Sequence, residues 1–198
     1  MNSLNNIDYS SPAFILGVVV VVVLIAAAIA VVVHLERLKT AKLRNRFGTE
    51  YDLAVREAGS RKKAEEALHA RCKRIEHLKI RDLTVAERQR YLADWETVQS
   101  RFLDHPRGAV TEADELVNSL LVARGYPVGG FEQRAADISV SHSTLVGPYR
   151  LANGITMRAG RNEATTEELR TAMIQYRTLF DALLGEKTAV LEQQRIVA

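Results

Sequence analysis

The chain has 198 residues, 47% hydrophobic and 26% charged, with a formal charge of +3. That balance excludes a disordered or collagen-like polymer, and a single cysteine, Cys72, excludes an intrachain disulfide framework and suits a reducing compartment. The charge is unevenly placed: residues 34–110 hold 18 Lys or Arg against 12 acids, whereas residues 111–198 hold 9 against 11.

The first element is apolar. From Ala13 to Val33, 21 residues carry no charge, amide or hydroxyl, and at helical rise they reach roughly 32 Å, about one hydrocarbon core. Fifteen of them are Val, Ile, Leu or Phe, so insertion is favoured by about 4–9 kcal/mol as an upper bound, taking about 0.3–0.6 for each central position. In water such a Val run favours a strand, but in lipid every unpaired backbone group is so costly that a lone segment has to be helical. The "AIA" at 28–30 has the small-residue form of a signal-peptide cleavage site. A retained anchor is nonetheless expected, because Met1–Pro12 lacks a basic residue and the apolar run continues through Val33.

Arg37, Lys39, Lys42, Arg44 and Arg46 follow the apolar run directly. The positive-inside bias therefore predicts a short exterior tail (1–12), a transmembrane helix (13–33), a basic juxtamembrane segment (34–48) and a cytoplasmic remainder. With one span and no polar group inside it, the segment lines no ion path by itself. Ala13-x3-Gly17 and Ala26-x3-Ala30 have the small-x3-small form that lets spans approach closely, although chance explains such pairs equally well in so Ala-rich a stretch.

The remainder is patterned as helix almost throughout, without repeats, so the expected fold is all-α: one transmembrane helix and a soluble bundle of about five to seven amphipathic helices over residues 49–185. Ala64, Ala67, Leu68, Cys72, Ile75 and Leu78 form one stripe. "TVAE" at 84–87 has the capping-box form and opens a second, through Tyr91, Leu92, Trp95, Val98 and Phe102, which places Trp95 in the core. Pro106 suits a first helical position ahead of Val110, Ala113, Leu116, Val117, Leu120 and Leu121, and Gly125 suits the stop. A short helix is expected over Phe131–Ile138, then one through Leu145, Tyr149 and Ala152 that Asn153-Gly154 weakens. "TTEE" at 165–168 is a second capping box; Leu169, Met173, Tyr176, Phe180 and Leu183 follow, with Gly185 as the expected end before a tail at 186–198.

The blocks "RFGTEYDLAVREAG" (46–59), "RGYPVGGFEQRAADISVSH" (124–142) and "LRTAMIQYRTLFDALL" (169–184) resemble an uncharacterised family of bacterial single-pass membrane proteins. The resemblance covers roughly residues 44–185. It implies a short exterior tail, one span, a basic junction and a helical cytosolic domain, and it brings no activity, cofactor or catalytic residue. The glycines before Phe131 and the Asn153-Gly154 pair stand where that family leads one to expect ordinary helix residues.

No motif amounts to a catalytic, cofactor or metal signature. His69, Cys72 and Glu76 share one helical quadrant, but Cys72 lies in the apolar stripe, Arg71, Lys73 and Arg74 repel a cation, and a structural metal site wants four ligands; a core thiol with solvated histidines fits better. "DISVSHS" at 137–143 holds the letters of a catalytic triad without the nucleophile elbow that would present a serine, and Ser141 or Ser143 suits a helix cap. "GYPVGG" at 125–130 lacks the lysine and spacing of a phosphate cradle. Phe131, Glu132, Arg134 and Asp137 form either an interaction surface or an internal polar lock, and the lock is favoured, with Arg134 expected to meet an acid on a neighbouring helix. The basic residues suit anionic lipid headgroups; interleaved acids and the absence of interleaved aromatics disfavour nucleic acid. The expectation is a membrane-anchored helical interaction or scaffold module whose partners are the lipid bilayer and an unidentified protein or a second copy in a weak homo-oligomer. The alternative is an enzyme or ligand-binding domain with a site near residues 131–142, around Glu132, Arg134, Asp137 and His142.

Overall fold

The computed structural model describes residues 12–196, with side chains described for 16–17 and 19–185. The expected exterior tail before Pro12 lies outside the described residues, as do the side chains of Ala13 of the small-residue pair and of the C-terminal tail. Among the described residues the fold is all-α, with eight helices: α1 (Pro12–Phe47), α2 (Thr49–Ala58), α3 (Arg61–Glu76), α4 (Val85–Arg101), α5 (Pro106–Ala123), α6 (Phe131–Ser141), α7 (Ser143–Gly160) and α8 (Thr166–Ile196). The chain divides into two compact units, Met1–Asn45 and Arg46–Ala198.

The first unit is built on α1. Its described apolar side chains from Leu16 to Val33 are all exposed, and the helix is long and apolar enough to cross a membrane. The helix does not stop where the apolar run stops. It continues through the basic residues to Phe47, so the segment expected as a junction is helical and its last two residues belong to the second unit.

The second unit is a helical bundle. Its centre is α5, α7 and α8, with α4 against α5, α6 between α3 and α7, and α2 against α3 and α7. Each stripe finds its partner. Leu68, Trp95, Val110, Val117, Leu120, Leu121, Tyr149, Tyr176 and Phe180 are buried, and the Trp95 and Phe180 rings meet at 4.8 Å. The register of α7 differs by one residue from that expected, since Val146 rather than Leu145 joins Tyr149, Ala152 and Ile155 inside.

Both capping boxes form. The Glu87 amide donates to the Thr84 hydroxyl at 3.2 Å while the Thr84 amide donates to the Glu87 carboxylate at 2.8 Å, and Thr165 with Glu168 repeats the arrangement at 3.3 and 2.8 Å. Pro106 is the first residue of α5. Gly125 is irreplaceable on two counts. Its φ is +94°, and a Cβ there would lie 2.5 Å from the carbonyl oxygen of Lys79, so only glycine lets the loop after α3 close on the end of α5.

One expected weak point and one expected end are both passed. α7 runs through Asn153-Gly154, and α8 runs through Gly185 to Ile196. A glycine costs only about 1 kcal/mol inside a helix, which the buried contacts of Ile155 and Ala159 beyond Gly154 outweigh in α7.

Two predictions follow from this packing. Trp95 is 1% exposed, so Trp95→Ala should lower unfolding stability by about 3–5 kcal/mol, read from a far-ultraviolet circular-dichroism melt of the full chain in detergent. Unchanged stability would mean that Trp95 stands outside the core. The Glu87 carboxylate is held down at about 2, by Arg81 first and then by the Thr84 amide. Its contribution is therefore complete above the ordinary value of 4.5 and lost as pH falls toward 2. Glu87→Gln should lower the melting temperature at pH 7 and make no difference near pH 2; an offset independent of pH would refute the charge-based origin.

Candidate functional site

Helix α6 carries the sequence block with most chemical variety, and its position explains what becomes of that variety. It starts from Gly130 in an extended conformation, with Glu132 in the first turn where a carboxylate favours the helix dipole. Its second half is enclosed between α3 and α7, so that Ala135, Asp137, Ile138, Ser139 and Val140 are all buried. Polar side chains in such a position have to find partners inside the protein.

They do. Asp137 is 1% exposed, pairs with the Arg74 guanidinium on α3, and accepts from the Gln133 amide at 3.2 Å on each oxygen. Glu132 receives Arg150 of α7 at 2.6 Å, and the same guanidinium lies 3.6 Å from buried Glu50 of α2. Burial alone would lower the Arg150 pKa; the two carboxylates, Glu132 foremost, more than reverse it. One cation thereby joins three helices.

Arg134 was expected to meet an acid on a neighbouring helix, and it does not. It donates to the Gly129 carbonyl at 2.6 Å and to the Tyr149 hydroxyl at 3.1 Å. Tyr149 then donates to Asn118 at 3.2 Å, and the Asn118 amide donates to Asp114 at 3.1 Å. The Tyr149 ring meets Phe131 at 4.9 Å and Tyr176 at 6.3 Å, while the Tyr176 and Thr156 hydroxyls are hydrogen-bonded at 2.9 Å. A polar chain thus crosses the bundle through α5, α6, α7 and α8.

Burial pushes both phenols up, with Asp114 the next contributor at Tyr176 and Arg134 partly opposing the shift at Tyr149. The phenols stay protonated and act as hydrogen-bond donors. Comparison with protein-family models, with known proteins and with solved structures finds no match to this chain. The chemistry of the site therefore rests on these contacts.

The remaining candidates separate rather than converge. His142 lies between α6 and α7, half-buried, its imidazole held below its ordinary value by burial and then by Arg124. Ser141 and Ser143 do not cap α7: the residue at the cap is His142, no side chain bonds there, and Ser141 instead meets the Tyr126 hydroxyl. The polypeptide turns directly from one helix into the next, leaving no extended residue whose hydroxyl faces the free amides. Cys72 is buried, with burial raising its thiol, whereas His69 is exposed. Of the basic junction, Arg37, Lys39, Lys42 and Arg44 are exposed on α1. Arg46 differs, because its Nε donates to the Val140 carbonyl at 3.2 Å and ties the start of the bundle to α6.

Sequence reasoning missed the buried acids and bases. Glu50 and Arg124 are both buried, and Arg124 donates to the Leu183 carbonyl at 2.5 Å. Asp114 and Asn118 left a signal: they stand one turn apart on α5, beside the core positions Ala113, Val117 and Leu121, where polar residues at that spacing mark an internal network.

The lock has a measurable consequence. Arg74→Ala should cost about 1–3 kcal/mol in chemical denaturation, because it leaves a buried carboxylate with one amide partner. Arg101→Ala, which breaks the exposed pair with Glu112, should cost at most about 1 kcal/mol. Equal small losses would show that Asp137 reaches water, as an interaction surface requires.

Proposed function

We propose that this chain is a membrane-anchored helical interaction module without catalytic activity, held at the inner face of a bacterial cytoplasmic membrane. The observation that carries this reading is the exposed apolar surface of α1 from Leu16 to Val33, joined in one continuous helix to a basic segment. Such a surface has a large driving force into lipid and a poor fate in water. The basic residues Arg37, Lys39, Lys42 and Arg44 favour a cytoplasmic location for everything after them, and each near an anionic headgroup adds on the order of 1 kcal/mol. The resemblance to the single-pass family supports the same architecture.

The interaction role is supported by how the polar residues are used. The acids and bases of α6 serve helix-to-helix contacts, which makes a rigid platform and leaves binding to the outer faces of other helices. A reporter fused after Ala198 should be active only when it is of the type that works in the cytoplasm. Activity of the exported type would overturn the orientation.

A further inference from the structure

Where α6 passes into α7 the chain turns on one residue. His142 ends α6 and precedes the first residue of α7, with φ −132° and ψ 56°. Its amide donates to the Ile138 carbonyl at 2.8 Å, and its own carbonyl accepts from the Leu145 amide at 3.0 Å. Both helix ends act on the imidazole, and in opposite senses: the end of α6 favours a cation there and the start of α7 disfavours one. The balance falls to what surrounds the ring. Its Nε2 is closed off from water, and protonation would spread a positive charge over that nitrogen, which burial disfavours.

The surroundings are themselves cationic. Arg124, 3% exposed, closes the end of α5 and donates to the Leu183 carbonyl of α8, while its own carbonyl receives the Arg81 amide at 2.9 Å. The charges that act on Arg124 are Asp82, from the loop before α4, and Arg88 of α4. Tyr126, just past the end of α5, is bonded to Ser141, and burial keeps its phenol protonated. From the last turn of α1, Arg46 holds the Val140 carbonyl, two residues before His142. Arg46 also acts on the buried Cys72 thiol of α3, as does Glu76, and burial keeps that thiol protonated. Around the corner, two carboxylates therefore stand against three guanidiniums, and a charged His142 would add a fourth cation.

We infer that the α6–α7 corner is a pH-sensitive joint, in which neutral His142 lets the corner close beside buried Arg124 and a proton on His142 opens it. Opening separates Ser141 from Tyr126 and uncovers Ile138, Val140 and Val146, all buried on either side of the turn. The direction follows from proton uptake. Burial, and then Arg124, hold the imidazole below its ordinary value of 6.5, so the open form binds more protons than the closed one. The closed form is at full strength above pH 6.5 and loses ground as pH falls below it. This window lies apart from that of Glu87, whose contribution is complete down to 4.5.

Two measurements on the full chain in detergent test the joint. The chain has five histidines, and with carbon-13 in their rings the His142 signal is assigned by its loss in His142→Gln or His142→Asn. That signal should titrate below pH 6.5, and a midpoint at or above 6.5 overturns the proposal. Amide exchange, corrected for the intrinsic effect of pH on the rate, is then compared at about pH 7.5 and about pH 5.5. One pH unit below an ordinary histidine value favours the proton-binding form by up to about tenfold. The amides of residues 138–146 should accordingly open at least about threefold more at the lower pH, relative to those of α5. His142→Gln should remove that gain. The same gain in His142→Gln, no gain in the unaltered chain, or an equal gain throughout the bundle would overturn the proposal.

Discussion

Apolar surface has to leave water, and in this chain one helix carries far more of it than the protein covers. From Leu16 to Val33 the described side chains of α1 are exposed and almost entirely aliphatic, whereas the aliphatic and aromatic stripes of α3 to α8 are turned into a common core. The second unit meets that demand internally, and the described part of the first does not. α1 is helical despite six consecutive valines, as a segment placed in lipid has to be, since its backbone groups must then be hydrogen-bonded within the segment. For the second half the demand is met by packing, and the helical periodicity of three and four is what allows it.

Within the bundle, apolar burial alone would leave the register of the helices loosely defined. The polar contacts supply the definition. Asp137 with Arg74 fixes α6 on α3, Arg150 with Glu50 and Glu132 fixes α7 against α2 and α6, and the chain from Arg134 through Tyr149 to Asn118 and Asp114 fixes α5 against α6 and α7. Each is a contact that a sliding helix would lose, leaving a buried donor or acceptor unsatisfied at a cost of about 1–3 kcal/mol. Such networks contribute less to total stability than to the choice of one arrangement over its neighbours. Residues that look reactive in the sequence are thereby committed to holding helices together.

How much of this was legible follows from the range of the interactions. The long apolar helix, both capping boxes, the proline at the start of α5, Gly125 at its end and the core position of Trp95 depend on residues within a few positions of one another, and the sequence shows them. The undiminished run of α7 through Asn153-Gly154 was not legible, because a modest local penalty is set against packing contributed by other helices. The partner of Arg134 was misjudged for a related reason. A guanidinium's donors can be engaged by a tyrosine hydroxyl and a carbonyl in place of a carboxylate, and only the fold places Tyr149 within reach. Buried Glu50 and Arg124 were missed because their burial is set by residues more than fifty positions away: Arg150 for the one, Leu183 for the other.

Amide hydrogen exchange of the full chain in a bilayer tests the anchor and the lock in one measurement. An anchored bundle predicts strong protection throughout residues 16–33, where no water reaches the backbone, and protection of the α6 amides equal to those of α5 and α8. Rapid exchange across 16–33 would contradict the membrane assignment, and rapid exchange confined to α6 would contradict the internal lock and return that helix to the surface.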